Sequence, residues 1–102
     1  MTSISQSMKT FYVYIMASAS GTLYVGVTSN LVLRVFQHKN KLLPGFTVTY
    51  DVTKLVYFEE IHRSDDAFET EKRLKKLHRW KKEALIRRKN PEWRDLAEDW
   101  YD

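Results

Sequence analysis

Two short segments near the start of the chain, residues 11–16 and 22–27, are dense in β-branched and aromatic side chains, and the small residues Ser18, Ala19, Ser20 and Gly21 lie between them. Such side chains suit a pleated surface and small residues suit a turn, so the pair predicts a β-hairpin. A turn centred near Ala19 sets Tyr14 opposite Tyr24 and Tyr12 opposite Gly26, and opposed residues share a face. Thr28, Ser29 and Asn30 then supply N-cap chemistry for a helix over residues 31–39. On that helix Leu31 pairs with Val35, and Val32 with Phe36, to form an apolar side. Asn30, Arg34 and His38 recur at four-residue steps as a separate polar stripe.

Pro44-Gly45 marks a loop, and residues 54–60, with the apolar run 55–58, read as a third strand. Ser64 is the expected cap of a second helix whose first turn carries Asp65 and Asp66, favourable against the helix dipole. That helix runs through Lys76. A break near residues 78–80 precedes a further helical stretch, 81–88, which Asn90-Pro91 ends. In the acidic tail, 92–102, the spacing of Trp93, Leu96 and Trp100 predicts a short docked helix. The order β-β-α-β-α-α defines an α/β (α+β) sandwich with helices against a small antiparallel sheet. Residues 1–10 are polar and patternless, a disordered tail by expectation, and 11–102 form a single domain.

The chain has 102 residues, which supports one domain with a real core. It has no cysteine, and this excludes a disulfide framework and a thiolate zinc site. No apolar run approaches the ~20 residues of a membrane span. Residues 11–17 follow Lys9 and precede Ala17-Ser18-Ala19, which imitates a signal-peptidase site. The run is too short and too rich in tyrosine, so a cytoplasmic protein is expected. Charge adds more. Between Lys72 and Lys89 ten basic residues face one acid, Glu83, so this segment is +9 while the whole chain is +4. Such an excess fits a polyanionic partner, or else a solvated helix face.

Glu71 interrupts the apolar stripe of Ala67, Leu74 and Leu77, which Phe68 flanks. A carboxylate at a core edge needs a cation beside it, either a metal or the side chain of an Arg or Lys. Arg34 and His38 suit phosphate binding and equally suit an ordinary helix surface. His38 has no second His or Cys at metal-ligand spacing. Tyr14 and Tyr24 taken alone are cross-strand aromatics, and no P-loop, zinc motif or nucleophile elbow is present.

Taken in order, Tyr12-Val13-Tyr14, Tyr24-Val25-Gly26, Arg34, His38, Glu71 and Asn90-Pro91-Glu92-Trp93 resemble the GIY-YIG nuclease superfamily. The likeness is to its small bacterial stand-alone branch, related to the nuclease domain of the excision-repair incision subunit. The first motif departs as Tyr-Val-Tyr and the second as Tyr-Val-Gly, with both tyrosines and the glycine kept. The resemblance implies a three-stranded antiparallel sheet flanked by helices, and metal-dependent hydrolysis of phosphodiesters in DNA, favoured over RNA, with little sequence specificity. It makes Glu71 the ligand of one divalent cation, Mg²⁺ or Mn²⁺, and Arg34 the phosphate anchor. It makes Tyr14 the general base with Tyr24 alongside, His38 a proton acceptor or phosphate contact, and Asn90 a brace of the site that also touches phosphate. Gly26 leaves room beside the tyrosines. The expected contacts to nucleic acid are Lys39, Lys41, Lys75, Lys76, Lys82 and Asn90, and Phe46 or Tyr50 could stack on unpaired bases. No obligate protein partner and no membrane are expected. The competing readings are a catalytically weak or inactive nucleic-acid-binding module and a domain that docks its basic helix on an acidic protein.

Overall fold

A computed structural model describes residues 9–45 and 49–101. The elements are β1 (Phe11–Ala17), β2 (Leu23–Thr28), α1 (Leu31–Lys39), β3 (Lys54–Ile61), α2 (Ser64–Lys76) and α3 (Arg79–Lys89). The three strands form one antiparallel sheet in the order β2-β1-β3, so β1 is central. The fold is thus the expected mixed one, a small antiparallel sheet flanked by helices. Residues 1–8, most of the expected tail, and Phe46 lie outside the described residues.

Alternation along β1 divides the interior in two. Val13, Ile15 and Ala17 face α2 and α3 and pack with Ala67, Leu74 and Ile86. Tyr14 and Met16 face α1 and pack with Leu31, Val35, Val52, Leu55 and Ala97. A bulge in β3 pairs Ile15 with Tyr57 and Met16 with Leu55, leaving Val56 as the extra residue. Both Val56 and Tyr57 therefore join the first core.

The hairpin turn is centred on Ser20, one residue later than expected, because Ser18 closes it: its hydroxyl accepts from Thr22 N–H at 2.9 Å and its carbonyl from Gly21 N–H at 3.0 Å. Gly21 has φ +98°, a conformation that favours glycine. The register is displaced by two residues, so Tyr14 faces Gly26 and Tyr24 faces Met16. A displacement of two preserves parity, and the two tyrosines still share a face.

Asn30 caps α1, its Oδ1 accepting from Leu33 N–H at 3.1 Å. The division of that helix differs from the expected one. Leu31, Val35 and His38 are buried, whereas Val32 and Phe36 are largely exposed. Positions 31, 35 and 38 form one stripe along the sheet, with 32 and 36 about 100–140° round the helix from Leu31. His38 is thus a core position, and the C-terminal tail covers part of the outer flank. Tyr101 donates to Val32 C=O at 2.6 Å and its ring meets Phe36 at 5.6 Å.

Ser64 is the first helical residue of α2, not its cap; extended Arg63 takes that place, and its guanidinium reaches Asp65 at 2.8 Å and Asp66 at 3.6 Å. Ala67, Thr70 and Leu74 form the buried face, leaving Phe68 outside it. The tail forms turns instead of a docked helix. Asn90 wraps the first turn, accepting from Arg94 N–H at 3.0 Å and donating to Arg94 C=O at 2.9 Å, with Trp93 held at φ +55°. Further on, Leu96 N–H donates to Leu55 C=O at 2.8 Å, so the tail docks on β3 through main chain. No helix among the described residues is long and apolar enough to cross a membrane.

Candidate active site

Tyr14 projects from the central strand and lies flat over Gly26. A Cβ at Gly26 would stand 2.5 Å from the Tyr14 hydroxyl oxygen and 2.6 Å from its Cζ. Only the missing side chain on β2 lets the phenol reach α1, where its oxygen meets His38 Nε2 at 2.9 Å. Both side chains are fully buried. The Tyr24 ring leans on this pair, 6.4 Å from Tyr14 and 5.3 Å from His38 between centroids, and it is partly exposed.

Electrostatics at this point follow from burial. Desolvation pushes the Tyr14 phenol well above its usual range, and the neighbouring Tyr24 and Glu71 push the same way. The positive charge of the Arg34 guanidinium, one turn before His38, offsets part of that rise. Burial, then Arg34, depresses His38 to about 4, so its imidazole is neutral at pH 7. A neutral imidazole accepts at one nitrogen and donates at the other. In the tautomer that accepts the phenol's hydrogen at Nε2, the remaining hydrogen is on Nδ1, which has no partner among the described residues.

The fold therefore gathers Tyr14, Tyr24, Arg34, His38 and Glu71, with Glu71 contributed by α2. The Glu71 carboxylate is largely sheltered, with 17% of its side chain exposed, and Lys75 Nζ stands 3.0 Å from Oε2. This is the ion pair that the sequence left open as an alternative to a metal. Among the described residues no group of three His, Cys, Asp or Glu side chains could hold a metal ion. One hard carboxylate beside a phosphate anchor still fits Mg²⁺, which keeps several waters and binds through one or two carboxylates plus substrate oxygens.

The expected nucleic-acid contacts are dispersed. Lys39 is committed to the fold, donating to Thr53 C=O at 3.0 Å and pairing with Asp95. Asp95 also accepts from Leu55 N–H at 3.1 Å, an anchoring role that its place in an acidic tail concealed. Lys41 pairs at the surface with Asp51 at 2.9 Å, and Lys75 pairs with Glu71. Lys76 is exposed and Lys82 half-buried. Asn90 ties β3 to the tail and touches none of the gathered site residues in the bonds it makes. Both hydrogens of its buried amide are used, one on Val56 C=O at 3.1 Å and one on Arg94 C=O, leaving no donor for a phosphate. Tyr50 is exposed.

A sheet of this topology, with two tyrosines on adjacent strands, an arginine on the following helix and a glutamate on the next, defines the small GIY-YIG class. The GIY-YIG catalytic domain matches residues 10–84, and the chain belongs to that family, a nuclease family whose substrate is nucleic acid. Within it the chain is similar to the UPF0213 protein of Clostridium perfringens, 38% identical over 79 residues that cover 78% of this chain and 85% of the relative. The UPF0213 protein of Natronomonas pharaonis is 35% identical over 75 residues, 74% of this chain and 88% of the relative. The solution structure of the UPF0213 protein of Bacillus halodurans superposes with a TM-score of 0.56 at 25% identity, over 88% of this chain and 97% of that one.

Proposed function

We propose that this protein is a divalent-metal-dependent endonuclease that hydrolyses DNA with little sequence specificity. The observation that carries this reading is the juxtaposition of the tyrosine pair with Arg34 and a sheltered Glu71, since binding alone needs neither a buried phenol bonded to histidine nor a carboxylate.

Arg34 binds the scissile phosphate and offsets the charge that develops on it. A water attacks phosphorus, the bond to the 3′ oxygen breaks, and the products are a 5′-phosphate and a 3′-hydroxyl. Exposure divides the work of the tyrosines differently from the expectation that Tyr14 is the base. Tyr14 is sealed from solvent and its phenol is held in the protonated form, whereas Tyr24 is reached by solvent. Tyr24, as its phenolate, takes the proton of the attacking water and becomes the neutral phenol, and Tyr14, bonded to His38, sets the ring of Tyr24 in place. Glu71 is the residue that would hold the cation, and a bound Mg²⁺ or Mn²⁺ supplies Lewis-acid stabilisation of the leaving oxygen.

Incubating the protein with single-stranded, duplex and forked DNA, each with Mg²⁺, Mn²⁺ or EDTA, tests this. Cleavage with either metal and none with EDTA is expected. Tight binding without cleavage in every condition replaces the nuclease by a binding module.

A further inference from the structure

Trp80 is the most exposed large apolar side chain among the described residues, with 64% of its surface open. It stands in the first turn of α3, a helix that buries only Ile86 fully. The core therefore does not explain a tryptophan here. Its surroundings are cationic. Lys81 Nζ sits over the ring, 5.5 Å from the centroid. The last turn of α2 brings Arg73, Lys75 and Lys76, and the first turn of α3 contains no acid. Arg79 is bound to Gly21 C=O and pairs with Glu83 at 2.7 Å, which pins this corner against the hairpin turn. The ring thus stands one residue from this pinned corner, inside the +9 segment and nine residues beyond Glu71 in sequence.

We infer that Trp80 is a stacking platform for an unpaired nucleobase, so that the nucleic acid this chain binds has single-stranded character. This rests on the proposed nuclease reading and sharpens it to a substrate class. Bases in a duplex are stacked on each other and offer no free face, whereas an unpaired base can stack on indole while Lys81 and Lys76 neutralise the flanking phosphates. Every base has a π-face, so the contact adds affinity without sequence preference.

The test measures binding in EDTA to a twelve-nucleotide single-stranded DNA, a duplex of the same length, and heparin, a polyanion without bases. The proteins are the wild type, Trp80→Ala and Trp80→Phe. Trp80→Ala should bind the single strand roughly ten- to a hundredfold more weakly, and the duplex and heparin within about twofold of the wild type. Trp80→Phe should restore most of the affinity. Tryptophan emission should be quenched by the single strand in the wild type and much less in Trp80→Phe. Unchanged single-strand affinity in Trp80→Ala, or equal quenching by heparin, overturns the inference and leaves the nuclease reading standing. A wild-type protein that binds neither DNA overturns both.

Discussion

The Tyr14 hydroxyl and His38 Nε2, 24 residues apart in sequence, meet at 2.9 Å with both side chains closed off from solvent. The bond ties the central strand to the helix that carries Arg34, so the geometry of the site and the stability of the second core are one problem. It also makes the fold sensitive to acid. The unfolded imidazole titrates near ~6.5, whereas burial and Arg34 lower it to about 4 in the fold. Between these values the unfolded chain binds a proton that the folded chain does not, so stability falls as pH falls through this window and is fully present above it. Thermal midpoints from pH 7 to 4 should drop more steeply for the wild type than for His38→Gln. Parallel curves would show that His38 is not held neutral.

Gly26→Ala places a methyl where the Tyr14 ring lies. Overpacking of this kind costs about 1–3 kcal/mol, equivalent to roughly 5–20 °C in the midpoint of a domain this size. Calorimetry checks it, and a midpoint within a degree of the wild type would mean that the ring can move aside freely.

The two tyrosines should separate cleanly by assay. Tyr24→Phe should stay folded and lose about 10²–10⁴ in single-turnover rate, as expected for a lost general base. Tyr14→Phe leaves His38 Nε2 buried without its partner, a loss of about 1–3 kcal/mol in stability, with a smaller effect on rate. The reverse pattern would return the role of base to Tyr14.

Glu71→Gln should abolish cleavage in Mg²⁺ and Mn²⁺ while DNA affinity in EDTA stays near that of the wild type. The fold should survive, because an i,i+4 pair such as Glu71–Lys75 contributes only about 0.5 kcal/mol. Wild-type cleavage by this variant would remove Glu71 from the site.

Reversing Lys76 and Lys82 to Glu should weaken binding to all DNA sequences alike and flatten its dependence on salt, since each neutralised phosphate releases counterions. Unchanged affinity at 50 mM salt would mark the basic segment as a solvated face. Titration by filter binding or fluorescence anisotropy reads both quantities.

Local signals made much of this architecture legible. Asn30 capped its helix as its side-chain chemistry predicted, α2 ended at Lys76 as expected though the break fell at residues 77–78 and not 78–80, and the hairpin parity of Tyr14 and Tyr24 survived a displaced turn. Parity depends only on alternate side chains, so a shift of two residues cannot destroy it. Other features had no local signature. Val32 and Phe36 look as apolar as Leu31 and Val35, and only the direction from which the sheet approaches α1 selects one pair over the other. The tail had helical spacing in Trp93, Leu96 and Trp100, but hydrogen bonds that Asn90 and Leu96 donate to distant main chain, and one that Asp95 accepts from Leu55 N–H, outweighed a propensity worth tenths of a kcal/mol per residue.

The order of elements, the shared face of the two tyrosines and the concentration of positive charge after Glu71 were determined by the sequence itself, because periodicity, turn chemistry and charge act between near neighbours. Which residues became usable chemistry was decided by tertiary structure. The fold spends Lys39 and Asn90, expected as nucleic-acid contacts, on Asp95 and Val56, and the absence of a side chain at Gly26 lets the ring of Tyr14, the expected base, sink against His38. Burial, and with it the protonation of His38 and Tyr14, depends on what three separate elements pack against each other, and no short stretch of chain carries that information.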